Sequence, residues 1–207
     1  MDWLNEAAGK YGTNEPLTFM EIQSVLPRYS VQRIYQLIEQ AIQEKRLIRF
    51  ENGVYYIPTR TIFGISKLDP AKVVFRKYIA DKEKTYGYYS GLTLLNGLGL
   101  TTQVPNIIEV VTNNEASRVR EVYVGKQKVR LRRARIPVTS ENADALAVLD
   151  LFNQIDPNAV VELDWRGVVD YIKESGLTIK RILEYSSVYP AKAVKNLMNS
   201  GVAYAVA

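Results

Sequence analysis

Between Ser30 and Pro58 the chain passes directly from one amphipathic pattern into another, and this junction restricts the fold more than any other feature. In SVQRIYQLIEQAIQEK, residues 30–45, the apolar positions Val31, Ile34, Leu37, Ile38, Ala41 and Ile42 recur at spacings of three and four. That spacing predicts a helix with one buried stripe. Ser30 is placed to cap it, and the opposite face carries Gln32, Arg33, Gln36, Glu39, Gln40 and Gln43, with Tyr35 near the boundary. RLIRFENGVYYIP, residues 46–58, follows at once. It predicts a hairpin with strands Leu47 to Phe50 and Val54 to Ile57 and a tip at Glu51-Asn52-Gly53, since Asn and Gly both tolerate positive φ. Two strands alone are marginal in water, so this hairpin needs the helix to lean on.

Upstream, Thr18 and Glu21 have the spacing of a capping box at the head of FMEIQSVL, and Pro27 ends that segment. Met1 to Ala8 reads as a first helix that covers both helices. Helix, helix and hairpin in this order predict a winged helix-turn-helix DNA-binding domain over residues 1–60. A helix fits the major groove of B-form DNA, so Ser30, Gln32, Arg33, Tyr35 and Gln36 are the expected groove residues, with Arg49 and Asn52 on the wing. Gln and Arg side chains match adenine and guanine edges. The competing reading is a solvated helix surface or a protein-contact module, and it draws on the charge balance: residues 1–60 hold 7 Lys and Arg against 7 Asp and Glu.

The net charge of +5 is localised: residues 118–135 hold 8 cations against 1 acid, whereas residues 136–207 hold 6 against 9. A basic patch on an otherwise balanced chain points to a polyanionic partner met at a defined surface. Within the predicted basic strand 126–136, alternation separates Lys128, Arg130 and Arg132 from Val129 and Leu131. One face then packs while the other offers cations about 7 Å apart, near the phosphate repeat of one DNA strand. A solvated face or a charge-protected edge strand is the alternative.

The remainder predicts an α+β protein. Residues 61–70 read as a linker, and residues 71–207 as a mixed α/β domain with a helical C-terminal part. Expected elements are a helix over Ala71 to Ala80, a short helix from Ser90 to Leu95 stopped at Gly97 or Gly99, strands over Ile107 to Val111 and Arg118 to Val124, and helices over Asp144 to Gln154, Trp165 to Glu174, Thr178 to Ser186 and Pro190 to Asn199. Asp144 and Asp150 read as ordinary solvated helix positions. The chain has no His and no Cys. Ser-His-Asp and Cys-His catalysis, thiolate zinc sites and disulfides are therefore impossible within it. Gly97-x-Gly99 lacks the rest of a phosphate loop, and Ser90 lacks a nucleophile motif. The expectation is a non-enzymatic, cytoplasmic protein with no cofactor, no metal and no membrane segment.

The order of parts, with Gly53-Val54-Tyr55-Tyr56-Ile57-Pro58 and the segment from Tyr89-Ser90-Gly91 to Leu100-Thr101-Thr102-Gln103, resembles the AbiEi-type antitoxins of type IV (abortive infection) toxin–antitoxin systems, over roughly Tyr11 to Asn199. The resemblance implies an autorepressor that binds operator DNA, expected as inverted repeats, through its N-terminal domain. It implies a C-terminal antitoxin domain, with Lys128, Arg130 and Arg132 on a positive face, that counters a nucleotidyltransferase-fold toxin without requiring a stable complex. An alternative class is a winged-helix interaction module gripping an acidic protein partner.

Overall fold

A computed structural model describes residues 2–62, 64–157 and 164–206. Met1, the predicted start of the first helix, and Phe63 in the predicted linker lie outside the described residues. The fold is α+β, and its contacts divide into two compact units: residues 1–76 with 124–126, and residues 77–123 with 127–207.

In the first unit, α1 (Trp3–Tyr11), β1 (Leu17–Thr18), α2 (Phe19–Val25), α3 (Val31–Gln43), β2 (Ile48–Glu51) and β3 (Val54–Tyr56) follow in that order. The capping box forms: Thr18 Oγ1 accepts from the Glu21 amide at 3.2 Å, and a Glu21 carboxylate oxygen accepts from the Thr18 amide at 2.8 Å. Such a cap contributes about 1 kcal/mol. Ile34, Ile38 and Ala41 of α3 close the core with Leu4 and Ala7 of α1 and Ile22 of α2. Val31 departs from the predicted stripe and is 49% exposed. A helical side chain covers the turn preceding its own, and Val31 has no preceding turn. Helix α3 stops where Lys45 takes φ 55° and the Arg46 amide returns to the Ala41 carbonyl at 3.0 Å, which turns the chain into β2.

β3 pairs antiparallel with both β1 and β2, giving the order β1-β3-β2. The hairpin differs from prediction in its turn. Gly53 has φ +76°, whereas Asn52 stays out of the left-handed region. Register shifts between Arg49 and Glu51, leaving Phe50 as a bulge. The predicted linker also contains a small ladder of its own, β4 (Arg60–Thr61) paired with β5 (Gly64–Ile65), before α4 (Pro70–Tyr78).

The second unit is built on a four-stranded sheet of β6 (Gly87–Tyr89), β7 (Ile107–Thr112), β8 (Val119–Val124) and β9 (Gln127–Arg133), in the order β6-β7-β9-β8. β6 runs antiparallel to β7, and β7 runs parallel to β9 from Ile107↔Lys128 to Thr112↔Arg133. β9 is therefore an interior strand, which removes the edge-strand reading. Short α5 (Gly91–Gly97) follows β6, and Gly99, at φ +69°, supplies its left-handed stop. α6 (Ala143–Gln154) is buried along most of its length against α8 (Ile179–Glu184) and α9 (Ala191–Asn199); α7 (Arg166–Glu174) joins it through Tyr171, and α10 (Val202–Val206) packs on α7 and α9. Leu146, Leu149 and Phe152 lie within 2% of complete burial, each contributing about 1.5–3 kcal/mol. Asn196 of α9 donates to the carbonyls of Phe152 and Ile155 at 2.9 and 2.8 Å, so the carbonyl end of α6 is satisfied inside the core. Among the described residues, no helix is long and apolar enough to cross a membrane.

Candidate functional site: an exposed helix face and a basic hairpin

The face of α3 opposite its core stripe is open. Ser30 caps the helix, its Oγ accepting from the Arg33 amide at 3.3 Å, and Gln32, Arg33, Tyr35 and Gln36 are all exposed. Arg33 donates to the Gln36 side chain at 2.9 Å, so the two present a joined donor and acceptor edge. The Tyr35 ring stacks on Phe19 of α2 at 4.7 Å and 19°. Arg49 on β2 is tied to Glu39 by an ion pair and lies over the Tyr55 ring at 5.7 Å, while Asn52 stands exposed at the hairpin tip. The structure thus gathers Ser30, Gln32, Arg33, Tyr35 and Gln36 on one helix face, with Arg49 held back by a carboxylate.

The cations of β9 behave differently. Val129 and Leu131 are buried as alternation requires, yet Lys128, Arg130 and Arg132 do not form an open row. Lys128 and Arg130 both pair with Glu121 on β8, at 2.5 and 2.9 Å. Arg130 also lies 3.8 Å from Glu109 on β7. Their hydrogen bonds hold the Glu121 carboxyl below the usual carboxylate range. An interior strand has acidic neighbours on both sides, and those neighbours neutralise the face.

Arg132 turns toward α6 instead. Its guanidinium meets Asp150 at 2.6 Å, and Asp150 is only 1% exposed. Ser90 Oγ donates to the same carboxylate at 2.5 Å, and Gln154 Nε2 donates to Asp150 at 2.9 Å and to Ser90 at 3.0 Å. Burial works against the charge of Arg132, but the Asp150 carboxylate outweighs it and raises the guanidinium pKa further. One reading needs correction here. Asp150 is not a solvated helix position, because α6 buries the face that carries it. Ser90 precedes α5 but makes no side-chain cap, since its hydroxyl is engaged with Asp150. Asp144 is half-buried and accepts from the Tyr171 hydroxyl at 2.6 Å.

Beside this cluster the hydroxyls of Tyr88 and Tyr189 meet at 2.7 Å. Burial, reinforced by Tyr189 and Asp150, lifts the Tyr88 phenol far above its ordinary value. Burial and Asp150 push Tyr189 up to about 12. Both hydroxyls stay protonated and hold the pair together. Among the described residues, no group of three or more His, Cys, Asp or Glu side chains is placed to hold a metal.

A signal for the buried cluster is present in ADALAVLDLFNQ, where Asp150 interrupts the apolar run from Ala145 to Phe152 and Gln154 follows at i+4 on the same face. A charge in that setting implies an opposite partner inside the fold. The partner could not be chosen without knowing which strand lies beneath the helix.

Residues 19–177 match the model of a family of unknown function, DUF6088, and the chain belongs to that family. The match runs from the start of α2 to just beyond α7, so it takes in α3, the basic hairpin and the Arg132–Asp150 cluster. No curated protein matches the sequence.

Proposed function

We propose that the first unit is a winged helix whose α3 enters the major groove of operator DNA, and that the protein is a cytoplasmic, non-enzymatic autorepressor and antitoxin of a type IV (abortive infection) toxin–antitoxin operon. The second unit would counter a nucleotidyltransferase-type toxin. The carrying observation is the exposed face of α3, where Ser30, Gln32, Arg33 and Gln36 stand together one hairpin away from Asn52. Bidentate Gln and Arg contacts to base edges supply about 1–3 kcal/mol of discrimination each. The balance of 7 cations against 7 acids over residues 1–60 calls for weak binding by one copy and strengthening by paired half-sites.

The test uses duplex DNA from the chain's own promoter against random duplex at two salt concentrations. Replacing Gln32 and Arg33 together with Ala is expected to abolish the preference for promoter DNA. A preserved preference would remove α3 as the reading element.

A second reading has one observation in its favour. Met20, Tyr29, Val31 and Tyr35 are 78%, 50%, 49% and 47% exposed at the starts of α2 and α3. Apolar side chains beside Arg28 and Arg33 suit an acidic protein partner. Salt-insensitive DNA binding of negligible strength, with capture of the cognate toxin, would favour that reading.

A further inference from the structure

Of the eight cations between Arg118 and Arg135, four are paired with carboxylates: Arg120 with Glu115, Lys128 and Arg130 with Glu121, and Arg132 with Asp150. Arg118, Arg133 and Arg135 have no carboxylate within ion-pair distance among the described residues. Arg133 reaches only the Ala116 carbonyl, at 3.5 Å, and Arg135 lies over the Tyr189 ring at 5.1 Å. These three line one cavity of about 520 Å³ together with Arg132, Asp150, Tyr88 and Tyr189. Four guanidiniums therefore share a concave site with one carboxylate, and that carboxylate is already spent on Arg132.

Like charges gathered without counter-charges repel one another, and an anion resolves that repulsion. Guanidiniums match phosphate oxygens in pairs. The cavity falls within the range of small-molecule sites, roughly 300–1,000 Å³, and is far roomier than one phosphate needs. Val111, Val119 and Ala134 add apolar wall beside the tyrosines. We infer that the second unit binds a small phosphorylated organic ligand of mononucleotide size, its phosphates held by Arg118, Arg133 and Arg135 and its organic part against Tyr189 and the valines. Arg132, clamped by Asp150, Ser90 and Gln154, gives the site a fixed floor. A nucleic-acid backbone fits less well, because Lys128 and Arg130, which would extend the cation row, are neutralised.

Calorimetric titration of the full chain with pyrophosphate, adenosine, adenosine monophosphate, guanosine diphosphate and glucose 6-phosphate tests this, with melting temperatures followed in parallel. Phosphorylated organic ligands are expected to bind and stabilise, adenosine to fail, and pyrophosphate to bind more weakly than the best organic phosphate. The nucleotide and sugar arms decide which organic part is taken. The Arg133→Gln, Arg135→Gln double variant should lose about tenfold or more in affinity, the loss of charged hydrogen bonds. The Lys128→Gln, Arg130→Gln variant, altered outside the cavity, should bind as the parent does. Equal loss in both variants would overturn the site, as would binding of oligonucleotides with none of any small phosphate ligand. The inference is independent of α3: the Gln32, Arg33 variant should bind these ligands unchanged even if it loses DNA.

Discussion

Helix α3 and strand β9 carry the same kind of pattern, an apolar stripe opposite a polar face, and reach opposite ends. On α3 the polar face meets solvent: Arg33 finds Gln36 within the helix at 2.9 Å, while Glu39 and Tyr35 reach Arg49 and Phe19 on neighbouring elements. On β9, Arg130 meets a carboxylate on each adjacent strand, Lys128 shares Glu121 with it, and Arg132 is taken up by Asp150 of α6. The helix keeps Gln32, Arg33 and Gln36 open to solvent, whereas the interior strand shares its outward cations with its neighbours. Charge counted along a sequence therefore reports an accessible surface more faithfully for a helix than for a strand, and the charge of this hairpin gathers at its Arg133 end, with Lys126 exposed at the turn.

That contrast can be broken most forcefully at Asp150. Asp150→Ala leaves Arg132 unpaired beside the core, and unfolding in urea should show a loss of about 3–5 kcal/mol. Replacing Arg132 with Met and Asp150 with Leu together should recover most of it. A small effect of the single change would mean that Arg132 finds water instead. Next in size is an alkaline effect. The Tyr88 and Tyr189 pKa values are raised in the fold, so their contribution is complete below pH 10.0, the ordinary tyrosine value, and is lost as pH climbs toward the folded values. Each phenol adds a slope of about 1.4 kcal/mol per pH unit in that window. Urea midpoints should fall between pH 10 and about 12, where Tyr189 titrates, and the double Phe variant should fall less steeply. Tyr171, held above its ordinary value by burial and Asp144, leaves some slope behind. Smallest is the change at the neutralised face. Lys128→Gln with Arg130→Gln should leave the melting temperature and the salt slope of DNA binding unaltered. A flattened slope would restore the open cation row that alternation predicts.

The elements that sequence reasoning placed well are those settled within a few residues. The Thr18–Glu21 box, the Ser30 cap, the buried stripe of α3 and the Asn52-Gly53 reversal each depend on near neighbours. What stayed hidden is non-local. β7 lies beside β9 in parallel although β8 separates them in the chain, and no periodicity encodes that choice. Two-residue β1 and the β4–β5 ladder are too short to leave a pattern, and α10 follows Gly201 as five residues without polar contrast. The Arg132–Asp150 meeting needed both the strand order and the helix covering it. The groove residues proposed on α3 were reachable from local pattern alone, while the cavity at Arg118, Arg133 and Arg135 was not.

The ion pair beneath α6 also constrains inheritance. A lineage that loses Asp150 keeps an orphaned guanidinium, and one that loses Arg132 keeps an orphaned carboxylate, so either step alone passes through a crippled ancestor. Members of this family should then keep both partners or have exchanged both, and positions 132 and 150 should drift as one character while Lys128 and Arg130 drift separately.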